Sequence, residues 1–174
     1  MIARMVRAAC LDRTLYEEVE ADPGLTGQAV AVVVLSSVAA GIAAIPHGGV
    51  RGGVDIGIVA LASWYVWALL AYWIGVYLIP EPQTRADAGQ LFRTIGFASA
   101  PGLVRLVGAA PGLSALAFVA GSVWMLIAMI IAIQQALDYA SMWRAIAVVL
   151  VGWLVQLIAL GVVASGFPHP AAGV

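Results

Sequence analysis

The sequence predicts an all-α fold: a polytopic membrane helix bundle with five spans, the third of which is broken at Pro101. Two observations predict it. Hydrophobic residues make up 63% of the 174 residues and charged residues only 10%, with a mean hydropathy of +1.02, whereas soluble domains are usually about 25% charged. The apolar residues also fall into long runs separated by short polar connections, and about 20 apolar residues are what a helix needs to cross a bilayer core.

Residues 1–22 are the longest polar stretch, and we expect them to form an amphipathic, cytoplasmic N-terminal segment. Apolar residues recur at helical spacing on both sides of Asp12, which is placed to cap a second helix, with Leu11 and Tyr16 as a hydrophobic staple. We expect this segment to lie at the membrane surface with its arginines near lipid head groups, these being Arg4, Arg7 and Arg13. A partly ordered polar tail is the alternative.

Four of the spans are uninterrupted apolar runs. Asp22 and Pro23 form a helix start signal, because Asp caps a helix and Pro suits its first position. The first span then covers residues 26–45 and ends at Pro46, the second covers 56–79, the fourth 113–137 and the fifth 145–166. Residues 23–166 are therefore predicted to form the membrane domain, followed by a short C-terminal tail at residues 167–174.

The third span, residues 91–109, contains Arg93 and Arg105 on either side of Pro101 and Gly102. An arginine at the centre of a spanning helix costs about 2.5–3.5 kcal/mol. We therefore expect Arg93 at the cytoplasmic interface and Arg105 extended toward the outer one. Pro101 removes a helix hydrogen bond, and lipid tolerates such a break only where protein covers it. This span is thus predicted to pack inside the bundle.

The distribution of arginines predicts the topology. With five spans, six arginines share the side of the N-terminus: Arg4, Arg7, Arg13, Arg85, Arg93 and Arg144. An excess of arginine marks the cytoplasmic side, so a multi-pass protein of the cell membrane is predicted, with its N-terminus inside and its C-terminus outside. If residues 91–109 were re-entrant instead, four helices would cross and the C-terminus would be cytoplasmic. The distribution of arginines between the two sides would then be nearly as asymmetric, so both topologies stay open.

Side chains that could carry chemistry are few within the spans. No pair of acidic residues lies in a span, His47 and His169 fall outside the spans, and Cys10 is the single cysteine. We therefore predict no catalytic, cofactor-binding or metal site and no enzyme activity. The absence of lysine and of any long basic run argues against nucleic acid as a partner. The available hydroxyls are Ser36, Ser37, Ser63, Ser99 and Ser122, and we expect them to bond to backbone or to pack at helix contacts.

The other polar and small residues also indicate structural roles. Asp138 and Arg144 bracket a short turn and are predicted to form an ion pair there. Gln156 shares a helix face with Gly152, which predicts a hydrogen bond across a close helix contact. A stripe of small residues on the fourth span predicts an assembly surface: Ser114, Ala117, Gly121, Ala128, Ala132 and Ala136. The second span is rich in Trp and Tyr, and its deeper aromatic residues either fill the core or line a lipid or ligand groove.

Four sequence features carry a family resemblance: the start signal at Asp22 and Pro23, the string RTIGFASAP at residues 93–101, the helix restart at Pro111, and the turn at residues 137–145. With them, residues 17–164 resemble the Yip family, the Ypt/Rab-interacting membrane proteins. The resemblance implies five clustered spans after a cytoplasmic N-terminus. Eukaryotic members are associated with small GTPases and vesicle traffic, but they have a longer N-terminal region. The short tail of this chain is similar to the smaller bacterial members and argues against a GTPase partner.

The function expected from these observations is non-catalytic. The chain would act in the lipid bilayer through helix packing, organising lipid, a membrane-protein partner or copies of itself, in the membrane-trafficking or membrane-organisation class. A small membrane transporter or channel subunit is the alternative, because discontinuous helices such as the third span often form substrate sites near the membrane midplane.

Overall fold

The computed structural model describes the backbone of residues 1–166 and the side chains of residues 1–158, and all the regular structure in this range is helical. There are six α-helices: α1 (Ile2–Ala9), α2 (Arg13–Ala21), α3 (Thr26–Trp73), α4 (Ala88–Phe97), α5 (Ser114–Ala136) and α6 (Met142–Gly166). A 3-10 turn at Pro23–Leu25 leads into α3, a π-helical turn at Ile74–Leu78 ends it, and a 3-10 helix at Ala100–Ala109 follows α4. The all-α prediction is confirmed. The predicted tail at residues 167–174, with His169, lies outside the described residues.

Helix α3 covers 48 residues and is a hairpin: it consists of two helical arms, and the backbone leaves helical geometry between them at Gly49. The chain reverses at Gly49, whose φ of 65° and ψ of −175° belong to a backbone region that glycine adopts without strain. The arms lie side by side, since a Cβ atom on Gly41 would lie 2.6 Å from the carbonyl oxygen of Gly53. Pro46 was predicted to end the first span, and this is wrong: Pro46 lies inside the helix, three residues before the reversal.

Two helical stretches are long and apolar enough to cross a membrane, Pro23–Leu78 and Ser114–Ala136. The first contains both arms of the α3 hairpin. The described part of α6, Met142–Ile158, is a shorter apolar helix.

The third apolar segment, residues 91–109, is broken as predicted, and its first part, residues 91–102, is buried. Helix α4 ends at Phe97 and the chain resumes as a 3-10 helix at Ala100, with Pro101 in its first turn. From residue 91 to residue 102 every side chain except that of Phe92 is buried, because the segment packs between α3 and α5. Gly102 permits the closest approach: a Cβ atom there would lie 2.2 Å from Ser36 Oγ.

Successive glycine contacts give the direction of the third segment. A Cβ atom on Gly96 would contact Ala29, near the start of α3, whereas one on Gly108 would contact Ser114 and Ala117, at the start of α5. The segment therefore runs parallel to the first arm of α3 and antiparallel to α5. It extends from one end of the bundle to the other. We call the end where α2 lies the α2 end, and the end where α3 reverses the hairpin end.

The N-terminal helices pack on the bundle through α2. Its residues Leu15, Tyr16 and Val19 are 0% exposed and lie against α4 and α5. Asp12 caps α2 as predicted, accepting a hydrogen bond from the backbone nitrogen of Thr14 at 3.0 Å. Burial in this contact anchors an otherwise polar segment to the membrane domain.

Two of the arginines of the N-terminal segment contact carboxylates. Arg7 pairs with Asp12 and with Glu18, both at 2.7 Å, and Arg4 pairs with Glu18 at 2.8 Å. Hydrogen bonding to the Arg7 guanidinium lowers the pKa of Asp12 to about 2. These pairs link α1 to α2.

The close contact in the α3 hairpin makes a testable prediction. Gly41→Ala places a methyl group against the backbone of the other arm, which cannot move away as a flexible side chain can, and we expect a loss of about 1–3 kcal/mol of stability. The matched control is Gly27→Ala, because a Cβ atom on Gly27 meets nothing within 4 Å and should be neutral or stabilising by up to about 1 kcal/mol. Thermal unfolding of the purified protein in detergent measures both. Equal midpoints for the two variants would contradict the packed hairpin.

Candidate functional site

Arg93 joins the third segment to the end of α2. Its side chain is 6% exposed, and its Nε donates to the carbonyl oxygen of Val19 at 2.9 Å while Nη2 donates to that of Glu20. Both carbonyls belong to the last turn of α2, where no helical N–H is available to them and the helix dipole favours a cation. Arg93 was expected at the cytoplasmic interface; the structure shows it buried at the end of the bundle where α2 lies, capping a helix.

Arg105 turns into the bundle. Its Nη2 donates to Ser122 Oγ at 3.2 Å, and its guanidinium carbon lies 5.4 Å from the centre of the Phe118 ring. Nε is buried and has no hydrogen-bond partner among the described residues. Its side chain passes Gly121, where a Cβ atom would lie 3.3 Å from Arg105 Cγ. The expectation that Arg105 extends to the outer interface is therefore corrected.

Arg105 lies between two cavities. The inner cavity, of about 230 Å³, lies in the middle of the bundle between α3, α5, α6 and the break in the third segment. The residues that line it are Val33, Ser36, Ser37, Ala60, Ser63, Trp64, Trp67, Ser99, Arg105, Met125, Met129, Trp153 and Gln156. The outer cavity, of about 510 Å³, lies toward the hairpin end and reaches His47; its lining is mainly apolar. Ala60 and Arg105 line both cavities.

The inner cavity is rich in hydrogen-bond donors. Besides Arg105 Nε, the indole nitrogens of Trp64 and Trp67 are buried without a hydrogen-bond partner among the described residues, and Trp67 is only 5% exposed. No aspartate, glutamate or histidine is among the described residues that line it. Its serines therefore lack an adjacent base that could activate them for attack. The cavity is built to hold a group that accepts hydrogen bonds.

Sequence reasoning considered most of these polar residues singly and assigned each a structural role. Four of the five candidate hydroxyls and Gln156 converge on the inner cavity, and Ser122 contacts Arg105. One signal could have revealed this. Ser36, Ser63, Ser99 and Gln156 each lie about ten to fourteen residues from the helix end nearest α2, and at 1.5 Å per residue that places all of them at a similar depth.

The small residues of α5 and α6 lie where helices pack closely against each other. The α5 stripe is buried at Ala117, Gly121, Ala128, Ala132 and Ala136, as its prediction as a packing surface requires. On α6, Gly152 fits against Trp67, whose ring lies 2.6 Å from where a Cβ atom would be. Trp67 is thereby fixed beside the inner cavity.

The predicted ion pair between Asp138 and Arg144 is wrong. Arg144 Nε instead pairs with Glu81 at 3.1 Å, and Glu81 also accepts a hydrogen bond from the backbone nitrogen of Ala140 at 3.0 Å. The Ala140 bond is the main cause that lowers the pKa of Glu81. The loop after α3 thus clamps the turn between α5 and α6, a long-range contact that spacing along the chain cannot reveal.

The fold defines a class, the all-α bundles with helical stretches long and apolar enough to cross a membrane, and in this bundle several polar side chains are directed into the interior. Within that class the family is clear, since the family model of the Yip1 domain matches residues 12–163, from the cap of α2 nearly to the end of α6. The chain belongs to the Yip1 family, which confirms the resemblance, and members of this family are membrane proteins that are generally not enzymes. Neither the curated proteins nor the solved structures contain a match to the chain.

The role of Arg93 as a helix cap is testable. Arg93→Gln removes a charged donor from the end of α2, and hydrogen bonds to charged groups contribute about 1.5–3 kcal/mol. We expect the amides of residues 13–21 to exchange about 10- to 100-fold faster in hydrogen–deuterium exchange. Arg85→Gln, at an exposed arginine on the same end of the bundle, should leave that exchange unchanged. Equal protection in both variants would show that α2 docks without Arg93.

Glu20 predicts a pH dependence. Burial raises its pKa to about 7, with repulsion from Asp138 as the second cause. The folded state therefore holds this proton more tightly than the unfolded chain does, so the stability that Glu20 contributes is complete below its ordinary pKa of 4.5 and is lost as the pH rises through 7. Glu20→Gln should flatten the fall of the thermal midpoint between about pH 5 and pH 8, whereas Glu17→Gln, at an exposed position of the same helix, should not. An unchanged profile in Glu20→Gln would contradict this.

Proposed function

We propose that the chain is a non-catalytic, five-span protein of the cell membrane that organises helices and lipid around it, in the membrane-trafficking or membrane-organisation class. The observation that carries the proposal is the match of the Yip1 domain to the whole described bundle. The inner cavity supports it, because no acid or histidine lines it beside its serines.

The path of the chain supports five spans. The two arms of α3 account for two passes, the end-to-end third segment for one, and α5 and α6 for two more. Arg4, Arg7, Arg13, Arg85 and Arg144 then lie on the α2 end, whereas Arg51 lies next to the reversal of α3. By the excess of arginine the α2 end is cytoplasmic and the C-terminus lies outside.

A groove on the α3 hairpin supports helix association. This hairpin groove, of about 360 Å³, has Gly41, Gly53 and Gly57 among its lining and exposed apolar side chains such as Val54 and Ile58 along it. These glycines hold the two arms together, and the exposed apolar side chains beside them leave a surface that a neighbouring helix can cover. A membrane helix, from a second copy or from a partner protein, is the occupant that fits this surface.

A small GTPase is not part of the proposal. The apolar face of α2 is covered by the bundle, with Leu15 and Val19 fully buried. Glu18 is engaged by Arg4 and Arg7. The apolar face of α2 is therefore not free to bind a soluble partner.

One observation favours the alternative, a small transporter or channel subunit. The inner cavity lies at the break in the third segment and contains Arg105 and Gln156, and breaks of this kind often form substrate sites. Ion flux through reconstituted vesicles that is lost in both Gln156→Leu and Arg105→Ala would favour this alternative over the organising role.

Cross-linking in vesicles tests the proposed association. In a Cys10→Ser background, Val54→Cys places a thiol on the hairpin groove and Leu116→Cys places one on α5, at side chains that are 55% and 68% exposed. We expect a short bis-maleimide to link copies through position 54 and not through position 116, because only the first lies on the association surface. The link should persist when the vesicles are diluted with lipid. Absent links at position 54, or equal links at both positions, would contradict the proposal.

A further inference from the structure

We propose that the inner and outer cavities form one binding site for a singly charged oxyanion that carries an apolar body, with Arg105 as its counter-ion. This goes beyond the proposed function, because it concerns the interior of the bundle and does not depend on association between copies.

The first argument is the charge of Arg105. Its contacts among the described residues are the Ser122 hydroxyl and the Phe118 ring, and neither carries a negative charge. Arg105 is partly buried, with its Nε fully buried, and a charge removed from solvent is costly unless an anion compensates it. Because Arg105 faces both cavities, that anion would have to be a bound molecule.

The second argument is the set of donors beside Arg105. An indole nitrogen can only donate a hydrogen bond, and those of Trp64 and Trp67 are buried beside the inner cavity without a protein acceptor among the described residues. A buried donor without an acceptor is unfavourable. An oxyanion has several lone pairs and could accept from the guanidinium and from the indoles together.

The third argument limits the charge of the ligand to one. Arg105 is the one arginine or lysine among the described residues that line the two cavities, and no acidic side chain lines either; the other basic side chain, His47, lines the outer cavity alone. A single guanidinium compensates a carboxylate or a phosphodiester. A doubly charged ion would leave one negative charge uncompensated.

The fourth argument is the apolar lining of the outer cavity, which requires an apolar body. Ile56, Val59 and Phe118 line it together with several alanines, and it meets the inner cavity at Arg105 and Ala60. A chain attached to the oxyanion would pack against these apolar side chains. Such a ligand is either a free aliphatic acid or a lipid with a phosphodiester head group.

The experiment compares thermal midpoints of the purified protein in detergent, because a ligand that binds the folded state raises them. One arm adds decanoate, with decanol as the uncharged match. A second arm adds phosphatidylglycerol, with phosphatidylcholine of the same chains as the match. A third arm adds sodium sulfate. We expect one of the two charged amphiphiles, decanoate or phosphatidylglycerol, to raise the midpoint of the wild type, and its uncharged or zwitterionic counterpart not to. A response to decanoate identifies a free aliphatic acid as the ligand, and a response to phosphatidylglycerol identifies a lipid.

Two variants show whether the effect arises at this site. Arg105→Gln should weaken the binding about 10- to 100-fold, as the loss of a charge-assisted contact predicts. Trp67→Phe keeps an aromatic ring at this position and removes the indole N–H, which is one donor, so it should weaken the binding less. This variant still tests the site if Arg105→Gln does not fold. The proposal is overturned if neither amphiphile stabilises the protein, if sulfate acts as well as the amphiphile, or if the stabilisation is the same in the wild type and Trp67→Phe.

Discussion

Two arginines in one apolar segment impose the constraint on which the rest of the structure depends. Arg93 is buried and Arg105 is partly buried between helices, and neither forms an ion pair with a carboxylate of the described residues. Arg93 is satisfied by the carbonyl oxygens at the end of α2, which fixes the N-terminal helices on the bundle. Arg105 contacts one hydroxyl and one aromatic ring, so its charge is available to a ligand in the cavities beside it. The same residue type is thus structural at one position and a candidate binding group at the other.

The break at Pro101, between the two arginines, allows Arg93 to reach α2 and Arg105 to reach the cavities. A continuous α-helix through Pro101 would lose a hydrogen bond and clash with the preceding turn, whereas the 3-10 helix after Ser99 avoids both. The break also brings Gly102 against Ser36, so the segment lies close to α3 and encloses the inner cavity. Packing, burial of polar groups and the donor-rich interior therefore follow from one local departure from helical geometry.

Much of the fold could be predicted from the sequence because its signals are local. Asp12 and Asp22 mark helix starts through hydrogen bonds from backbone nitrogens two residues further on, and Pro23 and Pro101, which have no N–H to donate, mark a start and the break. The errors have a common cause in contacts between distant residues. Arg144 pairs with Glu81 rather than with Asp138, and both arginines of the third segment find partners on other helices. The candidate site escaped prediction for the same reason: its polar residues come from five stretches of the chain, and each is unremarkable on its own.

The central claim is that residues 91–109 pass through the bundle from one end to the other, and labelling of single cysteines with a membrane-impermeant maleimide tests it most directly. Ala110 and Ala140 are exposed positions in the turns on either side of α5, and Cys10 of the wild type is exposed on α1's C-terminal side. In intact cells, Ala110→Cys in a Cys10→Ser background should be labelled from outside, whereas Ala140→Cys in that background and the wild-type Cys10 should react only after permeabilisation. Labelling of Ala140→Cys from outside together with protection of Ala110→Cys would contradict the account and establish a re-entrant third segment.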